Sequence, residues 1–291
     1  MELEKNALEL KKAKAYLEIL GTAFAWGLSA VLLKMNIENV APYHLLMGRF
    51  SVAAIFIFAM RPKSVKQINK EVLKAGVPLG VMVFIAYSFG VVCLKYTSAS
   101  KSSFLVSLSV LFVPLLEIII KRKIISKWTF VSIFLSVIGL RLISGMDGAG
   151  FNIGDTFAIL SALFYSIYII MMDRMGKDFD EIVLTFIQLF VVSVCSTIAL
   201  FIFEDFNFES LMNIWPTIFL IGILCTGMST LFQTRAQKVA STESVGILLL
   251  GEPLFTSILA FFILKETILA SGLLGGALII FSLVIAIIKK I

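Results

Sequence analysis

Ten apolar stretches of roughly twenty residues follow one another between residues 15 and 288, divided by short polar links. Each has about the length a helix needs to cross the hydrocarbon core of a bilayer. They cover residues 15–33, 42–60, 73–94, 99–120, 128–144, 155–172, 182–203, 214–233, 242–264 and 269–288. Lipid offers no partner to a backbone N–H or C=O, so each stretch must satisfy its own backbone as a helix. The pattern predicts an all-α membrane protein with ten transmembrane helices. With so little chain left outside lipid, any activity must sit among the helices.

Composition excludes a soluble fold. Mean hydropathy is +1.00 and 15% of residues are charged, against roughly 25% in a typical soluble domain. The net charge of +6 forms no continuous basic stripe, so no nucleic-acid partner is expected. Orientation explains the basic residues better. If the N-terminus is cytoplasmic, nineteen Lys and Arg fall on inside links and five on outside ones, with Arg49 inside the second span. That bias places both termini in the cytoplasm. The basic link 61–74 rests on this reading against anionic headgroups, with a docking site for a partner as the alternative. Cys93, Cys195 and Cys225 all lie in apolar spans; an odd number so placed reads as small hydrophobes, not as a disulfide framework. The first span is too long for a cleaved signal and is followed by nine more.

The midpoint falls in the glycine-bearing stretch 145–154. Residues 1–144 make a first five-helix repeat, 145–154 a linker, and 155–291 a second repeat. Sliding one half over the other by 139 residues sets Trp26 on Tyr165, Arg49 on Gln188 and Pro114 on Pro253. The last spans need about four more residues, one helical turn. Five is odd, so the second copy enters the membrane from the opposite side. Such an inverted pair can open a midplane cavity alternately to each side, which is a transporter's organisation.

Several residues carry a resemblance: Ala25-Trp26-Gly27, Gly48-Arg49-Phe50, Lys95-Tyr96-Thr97-Ser98-Ala99-Ser100, Gly154-Asp155, Gly251-Glu252-Pro253 and Leu264-Lys265-Glu266. Over essentially its whole length the chain resembles the EamA-type members of the drug/metabolite transporter superfamily. The first half departs from the pattern after Pro114, where Lys121-Arg122-Lys123 stands near the place of Lys265-Glu266. The resemblance implies a carrier in a bacterial or archaeal cell membrane, with helices one to four and six to nine around a central cavity and helices five and ten peripheral. Members of the superfamily move amino acids, sugars, nucleotide-like metabolites and drugs, most often outward.

Polar residues at helical spacing mark the faces able to line a cavity. The fourth span aligns Ser100, Ser103 and Ser107; the sixth Ser161, Tyr165 and Tyr168; the seventh Thr185, Gln188 and Cys195; the eighth Gly222, Thr226, Ser229 and Gln233. The competing reading is that small and hydroxyl residues simply let helices pack and hydrogen-bond. Gly76 with Gly80, and Gly272 with Gly276, read as tight helix contacts, the second pair alternatively as a homodimer seam. Pro114 and Pro253 interrupt helical hydrogen bonding and imply either static kinks or bends.

Charge inside the membrane is more informative. Glu252 lies near the middle of its span, where an acidic residue costs around 3 kcal/mol on insertion scales. Arg49 lies about two turns inside its own. Either the two pair structurally, or each reads an opposite charge on a zwitterion. Glu252 is also the candidate for proton coupling. Glu18 and Glu117 lie near cytoplasmic ends beside Lys14 and Lys121, where snorkelling or salt bridges suffice. Trp26, Tyr87, Tyr165 and Tyr168 can stack on an organic substrate or cation, or pack as core. His44, the one histidine, reads as interfacial packing.

No cofactor is expected: the sequence holds no phosphate loop and no metal-ligand cluster. Transport would be driven by an ion or substrate gradient, or by a partner. The expected function is a secondary carrier exporting a small organic metabolite, such as an amino acid or related amphipathic compound, with proton exchange through Glu252. The alternatives are a lipid-linked sugar flippase, which needs a lateral opening to lipid, and a membrane scaffold or sensor without transport.

Overall fold

The computed structural model describes residues 2–121, 127–143, 152–265 and 270–288. Arg122, Lys123, the linker residues 145–151 and Glu266 lie outside them. Among the described residues the chain is all helix, with no strand. In order the helices are α1 (Glu2–Asn36), α2 (Pro42–Met60), α3 (Lys70–Cys93), α4 (Ala99–Val106), α5 (Ser109–Lys121), α6 (Lys127–Ile143), α7 (Ile153–Met175), α8 (Glu181–Phe203), α9 (Phe208–Asn213), α10 (Trp215–Leu220), α11 (Ser229–Ala236), α12 (Thr242–Leu249), α13 (Gly251–Ile263) and α14 (Ala270–Ile288). A 3-10 turn, Pro62–Gln67, precedes α3, and a π-helical segment, Ile221–Met228, joins α10 to α11.

Among the described residues seven helical runs are long and apolar enough to cross a membrane; α10 to α11 forms one of them and most of α12 with α13 another. The described residues of the other three apolar stretches hold α4 and α5, α6, and α14. Caps supply what the first turns lack. Asn69 accepts from Glu71 N and Val72 N at the start of α3. Asn152 and Asp155 make a reciprocal capping box at the start of α7. Pro42 opens α2, where its missing N–H costs nothing.

The fourth and ninth spans are not single helices. The first breaks at Ser107–Leu108 and the second at Leu250. Both breaks precede a proline, Pro114 in α5 and Pro253 in the first turn of α13; the carbonyl that Pro253 disturbs is that of Leu249, beside the second break, whereas Pro114 lies about two turns beyond the first.

The helices of the two halves interleave. α1 packs on α11 and α13 while α7 packs on α3 and α5; α2 meets α8, and α6 meets α14. Gly76 and Gly80 bring α3 onto α8 so closely that a Cβ at either would fall within 2.7 Å of Ile187 or Val191. Gly276 faces Leu254 of α13 within the chain. Between α6 and α14, Ser136 Oγ and Ser282 Oγ lie 2.6 Å apart, and Ser282 also donates to Ser132 O, polar glue in an otherwise apolar interface. Large apolar side chains such as Phe130, Phe201 and Leu273 are exposed around the bundle.

Candidate functional site

A cavity opens at the centre of the bundle, walled by α1, α2, α3, α4, α7 and the α12–α13 break. It offers about 100 Å³ to the centres of water molecules, room for several of them. It reaches from Arg49 and Glu252 to Leu33 and Leu94, near the C-terminal ends of α1 and α3. There Lys34 Nζ donates to Leu94 O and Thr97 O, tying α1 to the α3–α4 turn.

Both helix breaks face this space: Ser107 and Ser109 flank one, Leu249 and Leu250 form the other, and all four are wall residues. Backbone that departs from the regular helix is tolerated at membrane depth where it lines a cavity. Gly27 sets how closely α1 approaches α13. A Cβ there would stand 2.9 Å from Thr256 N and 3.1 Å from Glu252 O. This contact presses the start of α13, with Glu252, against α1.

Arg49 is 1% exposed. Its Nε donates to Thr226 Oγ1 at 3.0 Å, and Thr226 in turn donates to Ile221 O at 2.9 Å, within the π-helical segment. Its guanidinium carbon lies 5.1 Å from the ring centroids of both Phe50 and Tyr87, within cation–π range. Nη2 is buried with no hydrogen-bond partner among the described residues. Arg49 and Glu252 are the two charged residues of the wall, and among the described residues no ion pair joins them. The cavity therefore presents a guanidinium held against two aromatic rings and, separately from it, the carboxyl group of Glu252. Trp26 packs edge-on to Tyr165 and Tyr87, with centroids 5.4 and 6.4 Å away.

Of the residues expected at a site, Trp26, Arg49, Tyr87, Ser103, Ser107, Tyr165 and Glu252 are wall residues. Tyr168, Gln188 and Ser229 are not. Tyr168 donates to Gln188 Oε1 at 3.0 Å, and Ser229 Oγ accepts from Trp26 Nε1 at 3.1 Å. Ser103 is committed as well, its Oγ 3.0 Å from Thr256 Oγ1 on α13. Sequence reasoning missed Ser29, Gly90, Ser102 and Gly246. Ser29 was accessible to it, one turn on from Trp26. So was Gly246, which the 139-residue offset sets on Ser107.

His44 lies elsewhere, buried at the start of α2. Its Nε2 accepts from Asn207 N at 2.9 Å, which makes Nδ1 the protonated nitrogen, donating to Glu204 Oε2 at 2.8 Å. Among the described residues no group of three or more His, Cys, Asp or Glu is placed to hold a metal.

The EamA-like transporter family model matches twice, over residues 13–145 and again over 152–288. The chain belongs to that family. Relatives of this EamA-family protein include an uncharacterized transporter of Archaeoglobus fulgidus, 23% identical over 95% of this chain and 86% of its own. An uncharacterized transporter of Clostridium kluyveri is 26% identical over 94% and 92%. The uncharacterized transporter YetK of Bacillus subtilis is 25% identical over 98% and 90%. A crystal structure superposes with a TM-score of 0.76 over 95% of this chain and 96% of its own at 17% identity, a likeness of fold. The EamA protein is thus a multi-pass membrane transporter in which the family domain is present twice.

Proposed function

We propose that this EamA-family protein is a secondary carrier for a small zwitterionic or amphipathic metabolite, an amino acid or a close relative, exported by alternating access. The observation that carries the reading is the pair of separately presented charges: Arg49, with a buried and unpartnered Nη2, and Glu252, both walls of one central cavity. A buried charged donor without a partner is costly, so a group supplied from outside gains by meeting it. A substrate carboxylate suits Arg49, a substrate ammonium suits Glu252, and Trp26, Tyr87 and Tyr165 supply faces for an apolar side chain. On this reading the repeats are residues 1–144 and 155–291, together ten crossings in inverted orientation with both termini cytoplasmic, as the basic residues indicate.

Glu252 has a second role in this scheme. Emptied of substrate, its carboxylate is left in a low-dielectric site without a cation, and a proton is the ligand that neutralises it. Substrate leaving one way is then exchanged for a proton entering the other. The test is Glu252→Gln in proteoliposomes carrying a panel of radiolabelled amino acids, with and without an imposed pH gradient. Accumulation against a gradient should disappear in the variant while counterflow exchange persists. A variant that answers the pH gradient as the parent does would remove Glu252 from coupling.

A further inference from the structure

Beneath the cavity, towards Glu18 and Arg235, lies a second set of buried polar side chains. The 139-residue offset sets the open wall of α3, Tyr87, Gly90 and Leu94, onto Thr226, Ser229 and Gln233, all about 1% exposed. It likewise sets Ser29 of the α1 wall onto Tyr168, also buried. In place of open space this second strip holds direct contacts: Trp26 Nε1 on Ser229 Oγ, Thr22 Oγ1 on Ser229 O at 3.1 Å, and Gln233 Nε2 on Tyr165 Oη.

The contacts do not use all the polar groups buried there. Among the described residues Gln237, one turn beyond Gln233 and 2% exposed, has neither Oε1 nor Nε2 hydrogen-bonded, and Thr185 Oγ1, one turn from Gln188 on α8, is also without a partner. α8 and α11, which carry these faces, pack together. A buried primary amide with both ends unsatisfied is expensive in any state that keeps it dry.

Just outside these groups stands a charged clasp. Arg235 Nη1 lies 3.3 Å from Glu18 Oε1 on α1, Arg235 Nε 3.6 Å from Glu181 Oε1 on α8, and Lys238 Nζ 3.2 Å from Glu181 Oε2. Arg235 of α11 is thus the common partner of α1 and α8, at the end of the bundle opposite to the one the cavity reaches.

We infer that Gln233, Gln237, Thr185 and Gln188 line a second polar vestibule, shut in this state, for which Arg235 is the gate residue. The vestibule is the counterpart of the open one, and substrate released from the central site passes it once the clasp with Glu18 and Glu181 parts. Its unsatisfied amide and hydroxyl become hydrated on opening, which offsets the loss of the ion pairs. The route extends the transport reading above, but its existence is testable without any substrate.

The experiment measures reaction of single cysteines with a bulky charged maleimide in detergent, where both ends are accessible, after Cys93, Cys195 and Cys225 have been replaced by serine. Gln237→Cys should react slowly. Adding Arg235→Gln should raise its rate about tenfold, as expected for the loss of two part-exposed ion pairs, and should slow the reaction of Ser107→Cys in the open cavity. Ser136→Cys, between α6 and α14, reports general loosening and should stay unreactive. Thr185→Cys serves where Gln237→Cys fails to fold. An unchanged rate at the vestibule cysteine overturns the proposal, and so does a rise with no matching fall at Ser107→Cys, which marks local fraying of α11. Failure of the amino-acid transport assay with this labelling pattern intact would count against the substrate and not against the vestibule.

Discussion

The indole N–H of Trp26 donates to Ser229 Oγ at 3.1 Å, joining α1 to α11 immediately beneath the central cavity. Ser229 passes the bond on, donating to Cys225 O at 2.7 Å. The two residues come from different halves of the chain, and one of them is a cavity wall while the other is not. A bond so placed fixes the floor of the cavity.

Ser229→Ala removes the acceptor and leaves the Trp26 N–H buried without a partner, which should lower stability by about 1–3 kcal/mol. Trp26→Phe, which removes donor and need together, should cost less than Ser229→Ala on the hydrogen-bond account, and the double variant should cost less than the sum. Thermal unfolding of the three variants in one detergent measures the coupling; strict additivity would show that the 3.1 Å contact carries no energy.

Two serines of one stripe should respond differently to a large ring. Ser107 faces open cavity, so Ser107→Trp is expected to fill it and stop transport while the protein elutes as a folded monodisperse species. Ser103 sits against Thr256, and Ser103→Trp overpacks the α4–α13 contact at a cost of about 1–3 kcal/mol. Equal destabilisation of both variants would remove Ser107 from the open wall.

Gly27→Ala tests the approach of α1 to α13. The added methyl meets backbone, Thr256 N at 2.9 Å, which cannot swing aside as a side chain can. A loss of about 1–3 kcal/mol in unfolding free energy is expected, with lost transport because the segment carrying Glu252 moves with α13. Unimpaired stability and transport would mean that α1 and α13 are not held at this distance.

Asp180 caps α8, accepting from Ile182 N at 3.0 Å and Val183 N at 3.2 Å, and it also pairs with Arg61. Burial pushes its carboxyl up, but the Arg61 guanidinium and the two backbone N–H groups outweigh this and hold it below the ordinary value. A depressed carboxyl contributes its stability in full above the ordinary value and loses it as pH falls through the lowered one. Asp180→Asn keeps the cap and loses the exposed ion pair, a change of about 0.2–1 kcal/mol; Asp180→Ala loses the cap too, about 0.5–2 kcal/mol more. Melting temperatures at neutral pH should fall in that order, and the gap between the parent and Asp180→Asn should close below about pH 4. A gap that persists in acid would mean that the pair with Arg61 contributes nothing.

The sequence by itself determined what is local: where apolar runs long enough to need helices begin and end, and that Gly76 and Gly80 allow a close contact. Those features depend on a few neighbouring residues and on the solvent around them. The 139-residue offset pairs Trp26 with Tyr165 only as matched positions; that their two rings meet is decided by packing.

Tertiary structure alone decided which polar stripes face open space. Ser103 and Ser107 are four residues apart on one face, yet only the packing of α13 occupies the first, and the helix break at Ser107–Leu108 ends the stripe there. Gln188 and Tyr168 satisfy each other, while Arg49 is left with an unpartnered Nη2. Hydrophobicity and helical spacing say that a side chain points inward, but whether a partner from another helix is waiting depends on contacts between residues 20 apart, as for Tyr168 and Gln188, or 153 apart, as for Ser103 and Thr256.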